Sequence, residues 1–164
     1  MKLKENLGWG ATIIITSNKK WNKPLIIKNR ITNIALTEII KALYDDTDLV
    51  IKHLAIGTSS KALSDSDTKL DNEVFRVPFV SWNALGAGQM QSRALLLGDE
   101  PDFAPYNGAV NIREIGFFCG SSSLDWGGGA GKDTGLMLSR ILVTKDKELR
   151  EEYQITRSDQ IDRR

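Results

Sequence analysis

The chain has 164 residues, a formal net charge of +1, 41% hydrophobic and 26% charged residues, and one cysteine. That composition is globular and the length suits one domain with a real core. It excludes an intrachain disulfide and a cysteine-built metal site and gives nucleic acid no attracting field. It offers no apolar run near the length of a membrane span, so a soluble protein assembled in a reducing cytoplasm is expected.

Lys2 and Lys4 are followed by Glu5, Asn6 and Gly8 instead of an apolar run, which is not a signal-peptide pattern. With Lys19, Lys20 and Lys23 they read as a short solvated basic arm. Residues 11–16 (Ala-Thr-Ile-Ile-Ile-Thr) are β-branched and bounded by Gly10 and Ser17-Asn18, a strand signal. A turn over 19–24 leads to a second strand over 25–32, so an N-terminal hairpin is predicted. The period then changes: Leu36, Ile39, Ile40 and Leu43 recur at helical spacing with Thr37, Glu38 and Lys41 opposite. Asn33 is the expected N-cap. Asp45, Asp46 and Asp48 close the helix with the wrong sign for its C-terminal pole and are expected to be solvated.

The rest reads as β. Strands are predicted over 49–56, 74–82, 93–97, 111–118, 136–143 and 149–156, separated by polar and glycine-rich loops. Phe75, Val77 and Phe79 fall on one face of the 74–82 strand and Val74, Val80 and Trp82 on the other. Both faces are apolar, which suggests an inner strand or a subunit contact. Pro78 lacks the N–H a ladder needs and belongs on an edge or at a bulge. Eight short strands without alternating helices predict a mainly β protein, an antiparallel β-sandwich of about eight strands with one short helix over an open end. The organisation expected is an N-terminal hairpin or docking arm (1–33), a sandwich core (34–156) and a charged, frayed C-terminal tail (157–164). Between the strands, the 98–108 loop holds two prolines and is expected to present Phe103 and Tyr106 outward. The 120–135 loop is the most glycine- and serine-rich part of the chain.

Chemical motifs are sparse. Gly131-Lys132 lacks the glycine and the Ser/Thr of a phosphate-binding loop. His53, the only histidine, alternates with Leu49, Ile51 and Ala55 and reads as a structural residue; no Gly-x-Ser-x-Gly elbow accompanies it. Cys119 follows two phenylalanines and reads as a packed thiol. Asp65, Asp67 and Asp71 lack the calcium-loop spacing and suit turn capping better. No catalytic residue, metal site or cofactor is expected.

The telling charges are Glu73, Arg76, Arg113, Glu114 and Arg140, each within or beside an apolar strand. Buried charges must be paired. Glu73 and Arg76, three apart on an extended strand, point to opposite faces. Cross-strand pairs are therefore expected, Glu73 with Arg113 or Arg140 and Arg76 with Glu114. Trp9, Trp21, Phe103, Tyr106 and Trp126 are the candidate interface or ligand contacts, since aromatic side chains are enriched at interface centres.

Two separated signatures stand out: His53-Leu-Ala-Ile-Gly57 leading to Leu70-Asp-Asn-Glu-Val-Phe-Arg76, and Ile112-Arg-Glu-Ile-Gly-Phe-Phe118 leading to Leu136-Met-Leu-Ser-Arg140. Their order over residues 30–145 resembles a family of small bacteriophage virion structural proteins associated with tail fibres and baseplates. The resemblance implies that the five charges are scaffold features and that the protein is no enzyme. It implies localisation in the virion, and function through binding other virion proteins and copies of itself. A capsid decoration protein is the alternative within that class. From another class, a carbohydrate-binding module at a fibre tip would use Trp126, Tyr106 and Phe103 as stacking platforms for a host glycan. No nucleic acid or membrane partner is expected.

Overall fold

The computed structural model describes residues 7–19, 23–29, 31–45, 48–124 and 131–163. Among these residues the chain is mainly β, with eight antiparallel strands and one short α-helix, as its sequence predicts. The strands are β1 (Leu7–Ser17), β2 (Leu25–Asn29), β3 (His53–Gly57), β4 (Glu73–Gly86), β5 (Gln89–Leu96), β6 (Ala109–Cys119), β7 (Leu136–Glu148) and β8 (Tyr153–Arg163), with α1 at Asn33–Lys41. Their spatial order is β2-β1-β8-β5-β4-β3-β6-β7. The two ends of this order approach each other: Ile31 forms a bridge with Ser139, and the Thr32 N–H donates to the Leu138 carbonyl at 3.1 Å.

β4 serves both halves of the sheet. Up to Pro78 it pairs with β3, and from Phe79 onward with β5. Val80 drops out of register at the changeover, so Pro78 sits beside a bulge, where its missing N–H costs least. Inside, Ile13, Ile15, Leu54, Ile56, Val77, Phe79, Ala94, Leu96, Ile115, Phe117, Ile141 and Ile155 form one core.

Several boundaries differ from expectation. β2 ends at Asn29, and the 48–52 segment is not a strand, though the Lys52 carbonyl still accepts from Phe79 N at 3.1 Å. Thr32, not Asn33, caps α1: its Oγ1 accepts from Ala35 N at 3.2 Å. The largest correction is at the C-terminus. Residues 157–163, expected to fray, continue β8 between β1 and β5. Arg157 there is fully buried. β1 likewise lies inside the sheet, between β2 and β8, and gives Ala11, Ile13 and Ile15 to the core.

Candidate functional site

The five framework charges are all in ion pairs, but with partners other than those expected. Arg76 binds Glu73 itself, Nε to Oε1 at 2.6 Å and Nη2 to Oε2 at 2.8 Å, with both side chains buried. The reason is a bulge: Gly57 faces Glu73 and Ile56 faces Phe75, so Val74 is an extra residue and the alternation resets. Glu73 and Arg76 then share a face. Arg76 also donates to Ser122 Oγ (2.8 Å) and the Thr134 carbonyl (3.0 Å), and its guanidinium lies 4.3 Å from the centre of the Phe118 ring.

Glu114 pairs with Arg140, not Arg76: Arg140 Nε donates to its Oε2 at 2.8 Å. Its carboxylate also accepts from the backbone N–H groups of Asp71 (3.1 Å) and Asn72 (2.8 Å). Arg140 then donates to Asp67 Oδ2 at 2.9 Å. Arg113 turns outward to Asp146 at 2.9 Å. The two sequence signatures therefore meet physically. A side chain at Gly57 would strike Glu114 Oε1 and come within 2.6 Å of the Asn72 carbonyl; one at Gly116 would come within 2.9 Å of Leu70. The glycines, Leu70, the Asn72 backbone and Glu114 are one packed unit.

His53 is buried, its Nδ1 2.6 Å from Ser122 Oγ. That hydroxyl already accepts from Arg76, so its proton is free to point at a neutral imidazole. Burial, with the Arg76 charge beside it, holds the His53 pKa below the usual value. Glu73 orients Arg76 rather than His53, so these groups do not line up as nucleophile, base and carboxylate. Cys119 is buried, and burial pushes its thiol up to about 11. Asp71 is held by Ser59 and Lys61, and Asp67 caps Ser64 N while binding Arg140. Among the described residues no three His, Cys, Asp or Glu side chains group as metal ligands.

The surface feature that remains is apolar. Residues directly opposite in an antiparallel sheet share a face, so register shows how far the inner face extends. One row is Ile15, Ile155, Ala94 and Phe79; the next is Ile13, Arg157, Ser92 and Trp82; then Ala11, Asp159, Met90 and Ala84; last, Trp9 and Ile161. The first row is core, while Trp82, Met90 and Ile161 are about half exposed. The inner face is thus longer than the core that fills it. Arg157 marks the boundary, held by Asp159 through two bonds of 2.8 and 2.6 Å, with Trp9 Nε1 donating to the same carboxylate at 3.0 Å. Beyond it lies a groove of about 340 Å³ between the sheet, α1 and the 48–52 segment, lined by Trp9, Ile39, Leu49, Ile51, Met90 and Ile161 among others. A second hollow of about 250 Å³ adjoins it at Ile51, Met90 and Asp159 and reaches Val50, Trp82 and Ser92.

α1 is one wall of this groove. Of its residues only Ala35 is buried; Leu36, Ile40 and, just beyond it, Leu43 stand in solvent, Ile40 at 59% and Leu43 at 74%. The apolar stripe read from the sequence therefore exists; Ile39 turns toward the groove, while Leu36, Ile40 and Leu43 are left exposed among the described residues.

Of the aromatic candidates, Trp9 lies in the groove. Phe103 is a correction: it is buried in the core, with Lys147 Nζ 4.9 Å above its ring and donating to the Leu97 carbonyl at 2.7 Å. The short 3-10 turn at Ala104–Tyr106 bends the loop back so that its aromatics pack inward, Tyr106 half-buried against the same core. Trp21 and Trp126 lie outside the described residues, as do Lys2, Lys4, Lys20 and Asp46. Trp82, Met90, Ile161 and Ile39 were not among the sequence candidates. The apolar pattern of the 74–82 strand was a signal for Trp82, but strict alternation set it on the face opposite Phe79; the bulge at Val80 turns it onto the same inner face, where it is half exposed. Comparison with family models, curated proteins and solved structures finds no match to this chain.

Proposed function

We propose that this protein is a bacteriophage virion structural subunit, tail-fibre or baseplate associated, that acts by binding other proteins. The observation that carries the reading is the groove, with the bare apolar helix beside it. A contiguous apolar surface of this kind on a folded chain marks a binding site. The framework supports the same reading. Glu73, Arg76, Glu114 and Arg140 are closed on each other and on backbone groups, which suits charges that fix strand register.

The motif resemblance supplies the phage setting; the groove supplies the mode of action. The chain belongs on the particle, in the company of other tail proteins. Quantitative immunoblotting of gradient-purified phage particles tests this. The chain co-purifying at a fixed ratio to a tail protein is the expected result. Its absence from infectious particles, with the chain abundant in the lysate, overturns the proposal.

A further inference from the structure

His53 sits at the foot of the 120–135 loop, and we propose that it is a pH-sensitive latch. Neutral, it fastens the two stems of that loop, 120–124 and 131–135, to the sheet; protonated, it releases them while the strands stay folded. The inference stands apart from the assembly reading and does not depend on it.

Both stems close on one small cluster of side chains. Lys52 Nζ donates to the Gly120 carbonyl at 2.7 Å, and Arg76 Nη1 donates to Ser122 Oγ at 2.8 Å and to the Thr134 carbonyl at 3.0 Å. The Asp133 N–H donates to Glu73 Oε2 at 3.2 Å, and the Ser123 N–H to Thr134 Oγ1 at 3.0 Å. The stems also pack on each other: a side chain at Gly135 would come within 2.6 Å of Ser122 Cβ.

The His53 ring has one hydrogen-bond partner among the described residues, Ser122 Oγ, 2.6 Å from Nδ1. Ser122 accepts from Arg76 and gives its own proton to the neutral ring, so one hydroxyl joins both. An imidazolium can only donate. Protonation at Nδ1 therefore removes the acceptor of the Ser122 proton and sets a second cation on the oxygen that already serves Arg76. The neighbouring charges give no relief. Lys52 is a further cation close by, and both it and Arg76 hold the ring's pKa down in addition to burial. Glu73 gives both oxygens to Arg76, Asp48 is bound to Lys52, and Asp133 to Lys69. The residue is 91% buried, so water cannot solvate the new charge in place. Lifting the stem wets the imidazolium and parts it from Arg76. That breaks a few loop hydrogen bonds, whereas unfolding the strands breaks whole ladders, so local opening is the response lower in free energy.

Hydrogen exchange on the full chain, resolved by NMR and corrected for the pH dependence of free amides, tests this between about pH 8 and about pH 5. The Ser123 and Asp133 amides report the stems, and strand amides of β1 and β8 report the fold. The population of open stem is expected to rise by up to about tenfold per pH unit below about 6.5, until the folded pKa is reached, with β1 and β8 still protected. His53→Gln keeps an acceptor for the Ser122 hydroxyl but does not titrate, and should abolish the rise. Ser122→Ala, at a half-buried position where the fold should survive, should open the stem at pH 8 already; it carries the test by itself if His53→Gln does not fold. Wild-type stem protection that is constant with pH overturns the inference, as does an unchanged rise in His53→Gln. So does full stem protection at pH 8 in Ser122→Ala, or a loss of protection in β1 and β8 in step with the stem.

Discussion

Gly57 ends β3 with its α-carbon against the carboxylate of Glu114, a residue of the other sequence signature. That carboxylate is buried, bonded to Arg140 and to two backbone N–H groups, and has no room to retreat. Gly57→Ala is therefore expected to destabilise the protein by about 1–3 kcal/mol, the usual cost of overpacking. Urea unfolding measures it. An unchanged midpoint would mean that the two signatures are not mechanically joined.

Arg76 and Glu73 are a buried, two-bonded pair. Arg76→Met leaves Glu73 charged and uncompensated, and a loss of about 3–5 kcal/mol is expected. Adding Glu73→Gln to that variant should recover part of the loss, because the stranded charge is removed. A double-mutant cycle with no coupling would contradict the pairing.

The eight strands were legible because β-branched runs are bounded by Gly, Asn, Pro and Asp. Three features were not. Nothing in Glu73-Val-Phe-Arg76 marks Val74 as a bulge, so strict alternation set Glu73 and Arg76 on opposite faces and misassigned both ion pairs. The second half of β8 reads as a charged tail, since Arg157 and Asp159 fill inward positions where apolar residues are looked for. The alternation Tyr153, Ile155, Arg157, Asp159, Ile161 was present, and its apolar ends were the cue. The helical period identified the apolar stripe of α1 correctly, but periodicity says which face is apolar and not what covers it. The site was less legible than the fold: of the groove residues, only Trp9 was a sequence candidate, because the groove is assembled from separate strands by register.

His53 has a pKa below that of an unfolded histidine, through burial first and Arg76 second. The unfolded chain therefore binds the proton more readily, and stability rises with pH across the interval between the folded value and about 6.5. The His53 contribution is full above about pH 6.5 and is lost as pH falls toward the folded value. His53→Gln should flatten that part of the stability–pH curve, read by denaturant midpoints at several pH values. An identical slope in the variant would contradict the assignment.

Cys119 is buried and its thiol is pushed up to about 11. The native thiol therefore keeps its proton at neutral and mildly alkaline pH and is shielded from reagents. A disulfide reagent at pH 8 is expected to label it only as fast as the protein opens, and completely in denaturant. Stability should fall as pH rises through the unfolded thiol's pKa, since the unfolded chain releases that proton first. Rapid stoichiometric labelling of the folded protein would contradict the packing.

The proposed function requires the groove to be covered by protein in an assembled particle. A photo-crosslinking amino acid at Met90, which lines it, tests this directly in phage particles carrying the variant chain. A discrete cross-linked band on irradiation is expected, with the partner's peptide identified by mass spectrometry as a virion protein, a second copy of this chain included. Particles that incorporate the variant but yield no cross-link from position 90, while a buried control position in the same chain reacts, would contradict it.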